Sequence, residues 1–575
     1  MKQQKKTKNT PARRVSKTKP PPKVEIWENV NPIYYSGIIT AIFFVIALTG
    51  ILNHEMWRDE LQPWLIAKES HSIPQLFYNM RFEGHPVLWH LILYFITCFT
   101  NNLFYQQLLH LLIACSFIFI FNRYSDIEIP FKILFTFGYF TLYEYTVITR
   151  DYGLAVLFIF SACAIFKNRY SHYIALGIIL AVLANVSIYG VVISLSIAAI
   201  LFLDYFYDKR NNSKDFKKLM IGITIVIIGV ICSLYQIMPN KENTWPGFYA
   251  KELFEAPRWA SIANRLFVAY FYIPKTEGIH FWNTNIYSDD YAKMYLPLWK
   301  WFTDHTEYLW AWIYLPILSL FTAFIIFLRK PLILLLYACA TFGLLCVFYY
   351  TDLIHLRYCG YFLMVLIVCF WLAKYYPDKH YNNSILRSLS NAGRWIAAPF
   401  LTLVLVTNVI GAMVAYSKDL GEKFTVSKDA ADYIKENKLD TLTFAGATDF
   451  TVASIAAYLD KKIYYPQMDD YGTYVIWNKK RKNDITLQML VSSIDKLMYN
   501  ERKNKLLLIL TNPPMVSKDG KTTEPLLRAL LAKDVKMDFI KGFEGGIQTD
   551  EKYFLYMVEK VDPAKIDPNQ YQLLN

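Results

Sequence analysis

The sequence predicts an all-α polytopic membrane bundle of about 11–13 transmembrane helices, each of ~20 apolar residues, followed by a small α/β domain outside the membrane. Three observations predict it. Charge-free apolar runs recur from residue 33 to about residue 416. Basic residues gather in alternate connections between those runs. Beyond residue 416 the apolar runs shorten and alternate with polar helical stretches. A content of 54% hydrophobic residues also suits a soluble protein, so it is the uneven distribution that decides.

Residues 1–32 hold nine Lys/Arg against two acids and are rich in proline, which predicts a disordered basic tail. Just before the first span, that charge acts as a positive-inside signal and puts the N-terminus in the cytoplasm. The first apolar run is too long and too far in for a cleavable signal peptide. It covers 33–53 (IYYSGIITAIFFVIALTGILN) without a charge. Further apolar segments fall at 86–99, 103–121, 131–149, 152–166, 172–186, 187–206, 219–238, 307–328, 331–351, 358–374 and 395–416. Twelve crossings would return the C-terminus to the cytoplasm, whereas the basic connections place it outside. One segment therefore does not cross, or one more exists; 86–99, with only 14 residues and His90 among them, is the short one.

The first extracytoplasmic loop, 54–85, carries two apolar stripes at helical spacing. Trp57, Leu61, Trp64 and Leu65 form one, and Ile73, Leu76, Phe77 and Met80 the other, as in helices lying at the membrane interface. A second long loop, 239–306, is rich in aromatic and turn-forming residues and too long for a plain connection. Residues 417–575 read as a soluble α/β domain, with strands at 442–446, 463–465, 506–511 and 553–559 and helices at 428–438, 450–460, 487–503 and 523–533.

The net charge of +13 does not indicate nucleic-acid binding, because the basic residues sit in the tail and the cytoplasmic connections. All eight cysteines lie in or beside apolar runs, which excludes a disulfide framework and a cysteine metal motif. His54, His71, His90 and His110 show no ligand spacing and read as packing or interface residues.

Polar clusters at the extracytoplasmic edges carry the functional signal. They are Arg58-Asp59-Glu60, Glu83-Gly84-His85-Pro86, Arg150-Asp151-Tyr152, His280 with Asp289 and Asp290, and His355-Leu356-Arg357-Tyr358. Charge beside a bilayer needs a reason, and five clusters on one face suggest an active site assembled from loop ends.

An acidic pair after the first span, an EGHP turn leading into the next segment, an Arg-x-Tyr turn and a late Arg-Tyr at a helix start resemble the C-type (GT-C) membrane glycosyltransferase superfamily. Protein O-mannosyltransferases and the lipid A aminoarabinose transferase are the nearest likenesses. The resemblance covers 33–416, a GT-C-like transmembrane domain, and extends to the trailing domain. It implies transfer of a hexosyl or pentosyl unit, with inversion, from a polyprenyl-phosphate donor to a glycan, lipid or protein acceptor outside the cytoplasm of a multi-pass plasma or inner membrane protein. Membrane lipids are then its surroundings and nucleic acid is no partner. Asp59 matches the catalytic acid as general base, with Glu60 as its orienting or substituting neighbour. Arg357 and Arg150 are the phosphate-binding candidates, and Arg58, Glu83, His85, Asp151, Tyr152, His355 and Tyr358 complete the substrate site. Glu83, paired with His280, is the implied holder of a divalent metal. A lipid-linked polysaccharide polymerase or ligase, and a membrane transporter or flippase, are the alternative readings.

Overall fold

The computed structural model describes residues 31–207, 215–244, 256–275, 284–286, 308–351, 355–512, 524–531 and 533–561. The predicted tail lies outside them up to residue 30, as do His280, Asp289 and Asp290. The first helix, α1 (Pro32–Asn53), starts where Asn31 accepts the Ile33 N–H and Pro32 supplies a helical φ at the first position. Three short pieces follow: α2 (Arg58–Lys68), α3 (Ile73–Asn79) and α4 (Leu88–Thr97). The bundle continues through α5 (Phe104–Tyr124), α6 (Ile129–Thr136), α7 (Tyr152–Phe166), α8 (Tyr173–Ala184), α9 (Ile188–Tyr207) and α10 (Phe216–Ile237). It closes with α11 (Ala256–Tyr270), α12 (Tyr308–Phe327), α13 (Pro331–Thr351), α14 (Leu356–Ala373) and α15 (Ser384–Gly421).

Seven of the described helices are long and apolar enough to cross a membrane, and four shorter apolar ones share the bundle with them. The chain is a multi-pass membrane protein. Segment 86–99 forms the ten-residue α4, too short to cross alone. Segment 131–149, expected as one span, is α6 followed by a nine-residue π-helix over Tyr139–Val147, every residue of it buried. The break falls at Gly138, whose extended backbone (ψ 164°) stops α6. The Thr141 hydroxyl then donates back to the Gly138 carbonyl and that of Thr146 to the Thr141 carbonyl, as such side chains do where a helical ladder is disturbed. Inside the long loop 239–306, α11 was not foreseen; it packs Ile262 and Leu266 into the core. At the α8/α10 crossing, a Cβ on Gly177 would lie 2.5 Å from the Gly222 carbonyl oxygen, so the two backbones meet through glycine.

The last helix, α15, has 38 residues, nearly twice what a bilayer requires, and so delivers the chain directly into the second domain. That domain holds a six-stranded sheet ordered β3-β2-β1-β4-β6-β5. Its strands are β1 (Thr443–Ala447), β2 (Ile463–Tyr465), β3 (Asp470–Gly472), β4 (Lys505–Leu510), β5 (Val535–Phe543) and β6 (Tyr553–Lys560). β1 runs parallel to both β2 and β4, while the outer pairings are antiparallel. Alternate residues of β4 face opposite layers. Leu507 and Ile509 pack with α16 (Ser427–Glu436) and α17 (Asp449–Leu459). Leu506, Leu508 and Leu510 pack with α18 (Leu487–Asp495) and α19 (Glu524–Leu531). Near-continuous burial along LLLIL is what a central strand covered on both faces requires.

Candidate active site

At the end of the bundle that meets the sheet domain lies a cavity of about 570 Å3. Its walls come from α2, the turn at 83–86, α4, the turn at 150–151, the start of α14 and two pieces of the sheet domain. Asp59, Glu83, His85, Arg150, Asp151, His355, Arg357 and Tyr358, drawn from four separated stretches of sequence, all line it, as does Arg58.

Asp59 is the centre of charge. Its Oδ2 accepts from Arg357 Nη1 at 2.6 Å and stands 3.7 Å from Arg150 Nη1. Arg150 Nη1 also donates to the Asp59 backbone carbonyl. Burial opposes the charged carboxylate, but Arg357, Arg150 and Arg58 outweigh it and hold Asp59 well below the usual carboxylate range. About a quarter of the side chain (27%) remains open to the cavity. Arg357 is placed from behind: the Tyr145 hydroxyl of the π-segment donates to its carbonyl at 2.8 Å. Tyr145 reaches that carbonyl only because Gly360, one turn on, has no Cβ to overlap its hydroxyl.

Glu83 sits in the same cavity under different rules. Burial lifts its carboxyl to about 7 against the Gln62 hydrogen bond and the Arg150 charge, which lower it. Gln62 donates to Glu83 Oε1 at 3.0 Å and to the Val475 carbonyl at 2.8 Å, and its own oxygen accepts the Val475 N–H at 3.1 Å. A single amide therefore ties Glu83 to the sheet domain. His85 is held below the ordinary histidine range, by burial first and by Arg150 and Arg357. Asp151 Oδ2 has no hydrogen-bond partner although the residue is 6% exposed.

Two of the expected residues do not line the cavity, and a third is partly committed elsewhere. Glu60 does not share the cavity with Asp59. It is fully buried, bonded to His54 Nε2 at 2.8 Å and to the Thr149 N–H at 2.5 Å, because adjacent helical residues point about 100° apart. Tyr152 lies behind the wall, 1% exposed, edge-on to Tyr358 at 5.8 Å, where it supports rather than lines the site. Arg58 does border the cavity, but its Nη2 is committed to Asp550 at 2.7 Å and its backbone N–H to Glu551 Oε1 at 3.1 Å. Of the metal pair, His280 lies outside the described residues, and Glu83 Oε1 is occupied by Gln62. Among the described residues no three His, Cys, Asp or Glu side chains gather as a metal site.

The sequence reading missed several wall residues. His90 lines the cavity, 4% exposed, with both ring nitrogens unbonded. Its one signal was a histidine in an otherwise apolar segment. Phe450, Val475 and Trp477 come from the sheet domain, which carried no polar cluster to announce them. Also unforeseen is a buried trio beneath Asp59, in which His54 bonds Glu60 through Nε2 and Asp419 through Nδ1, both at 2.8 Å.

No family model matches the chain, and no curated protein does. Among solved structures it is similar to ArnT from Cupriavidus metallidurans bound to undecaprenyl phosphate. The two share 13% identity over 91% of this chain and 98% of that chain, with a TM-score of 0.44.

Proposed function

We propose that the protein is a C-type membrane glycosyltransferase. It moves a sugar from a polyprenyl-phosphate donor to an acceptor hydroxyl outside the cytoplasm, by a single displacement with inversion. The observation that carries this reading is one carboxylate, Asp59, held between two arginines in a cavity at the end of a membrane bundle. Guanidinium groups suit phosphate, which they bind through paired N–H donors, and a carboxylate suits the acceptor proton.

In the resting protein the arginines weaken Asp59 as a base. A phosphate drawn in between Arg150 and Arg357 takes over their positive charge and restores basicity to Asp59 as the donor arrives. The acceptor oxygen then attacks the anomeric carbon, its proton passes to Asp59, and the bond to the phosphate oxygen breaks. The polyprenyl phosphate leaves with its charge on the two arginines.

The test is to incubate the purified protein with a panel of radiolabelled polyprenyl-phosphate sugars, together with delipidated envelope material as a source of acceptor hydroxyls, and follow release of the lipid phosphate. At least one sugar should be turned over, and Asp59→Asn should slow it by at least about a hundredfold, the lower range of general-base effects. Donor binding without release of lipid phosphate from any sugar would instead indicate a flippase.

A further inference from the structure

A second cavity, of about 630 Å3, opens in the sheet domain and shares one wall residue with the first, Phe450. It lies where the fold itself makes a crevice. α17 joins β1 to β2 on one face of the sheet, whereas α18 lies between β3 and β4 in sequence and packs on the other face. The chain thus reverses direction between the parallel neighbours β1 and β4, and open α/β sheets bind ligands outside the carboxyl ends of strands at such a point. Ala447 and Thr448 end β1 there, and Leu510 and Thr511 end β4.

The lining indicates the ligand. Thr448 and Thr511 place their hydroxyl oxygens 3.2 Å apart, and Asn483 and Asn512 add amides. Leu487, 43% exposed, and Phe450 supply apolar surface. Among the described residues no Lys or Arg lines the cavity, and the β1–α17 turn is Thr448-Asp449-Phe450 rather than a glycine-rich phosphate loop. A carboxylate, Asp484, does line the cavity, and the Asp449 carboxylate occupies the start of α17 with its two oxygens paired with Arg481 at 2.6 and 2.7 Å. Phosphate is therefore disfavoured, while hydroxyls, amides and an apolar face together suit a neutral sugar.

Phe450 is fixed as the partition. Arg58 lies over its ring at 5.1 Å and Arg481 at 5.9 Å, and Trp477 stacks beside it with centroids 6.4 Å apart. We propose that this crevice binds a neutral sugar unit of the acceptor and presents the acceptor across Phe450 to the cavity of Asp59. The assignment rests on the transferase reading for the word acceptor, but not for the sugar site.

The probe is the oligosaccharides released by mild acid from the envelope of the producing cell, split by anion exchange into neutral and acidic fractions. In the full-length protein carrying Leu487→Cys, the neutral fraction should slow alkylation of that cysteine, read by mass spectrometry, at least threefold, and the acidic fraction should not. Adding Asn483→Ala should remove the protection. No protection, or equal protection by the acidic fraction, overturns the proposal. In transfer assays, Leu487→Trp should raise KM for the neutral fraction at least tenfold and leave kcat and polyprenyl-phosphate binding unchanged; an unchanged KM also overturns it. If wild-type protein releases no lipid phosphate, the transferase reading fails, while the protection result still decides the sugar site.

Discussion

Asp59 is bound to the same guanidiniums that a donor phosphate would need, so it competes with the donor inside its own site. Asp59→Asn therefore has two opposite effects. Turnover should fall by at least about a hundredfold as the proton acceptor goes. Affinity for polyprenyl phosphate should rise, because Arg150 and Arg357 lose their internal counter-ion; titration of the purified variant with that lipid measures it. Unchanged affinity would mean that the arginines do not hold the phosphate. Glu83 gives a second, pH-dependent test. With its carboxyl near 7, it is neutral below that pH and negative above it, so phosphate binding should weaken as pH rises through about 7. Glu83→Gln should abolish that slope, and comparing the two proteins cancels the titration of the phosphate itself. Asp59, Arg150 and Arg357 were legible in the sequence because charge beside an apolar run stands out. Their pairing was not, since Asp59 and Arg357 are 298 positions apart. The destination of Glu60 was equally hidden, because the sequence places it beside Asp59 and only the helical rotation turns it inward.

Among the elements, α2 does the most joining. It meets the end of α1 and the end of α15 through the trio Glu60, His54 and Asp419, with the Tyr143 hydroxyl also donating to Asp419 at 3.1 Å. Burial disfavours a charged His54, but Asp419 and Glu60 outweigh it and raise the ring well above the ordinary histidine value. The sign follows. A raised value in the folded state stabilises the protein fully below about 6.5, and the contribution is lost as pH climbs through the raised value. His54→Asn leaves two buried carboxylates without their cation and should cost about 3–5 kcal/mol. Thermal unfolding in detergent between pH 6 and pH 9 should show a falling midpoint for the native protein, and a lower, flatter one for the variant. Elements with a plain period were readable: the four predicted helices of the second domain all form, three within two residues at their ends, while the one expected over 487–503 ends at Asp495 and passes into a short π-helix, Lys496–Asn500. β5 was not, because a bulge between Phe539 and Lys541 breaks its alternation. The π-segment was read as part of a span because its aromatic residues are as apolar as their neighbours; only Gly138 marked the break.

At the scale of the molecule, the sheet domain forms part of the site rather than trailing behind it. Arg58 to Asp550 and Glu551, Gln62 to Val475, and the Tyr458 hydroxyl to the Met56 carbonyl at 2.9 Å bind it to α2 and the residues just before it. If the basic connections lie in the cytoplasm, the shared cavity faces outward. A cysteine at the exposed Glu436 should then react with an impermeant thiol reagent on intact cells, since the native cysteines all lie before residue 370. Labelling only after lysis would reverse the orientation. The domain's role in the wall was beyond the sequence because Phe450, Val475 and Trp477 are ordinary packing residues until the fold brings them beside Asp59.

On the transferase reading proposed above, the resting pair of Asp59 and Arg357 would also govern how a catalytic cycle ends. A polyprenyl phosphate stripped of its sugar gains a second ionisable oxygen, with a pKa of ~6, and at neutral pH the arginines would grip it harder than the donor. Such a spent carrier would clog the enzyme. Asp59, tethered beside the same guanidiniums, would act as a displacing ion at high effective concentration. It is neutral while it holds the acceptor's proton and becomes a competitor again on losing that proton to water. Deprotonation of one side chain would thereby become the signal that expels the used lipid, and the strength of a 2.6 Å ion pair would set the tolerance of such an enzyme for its own product.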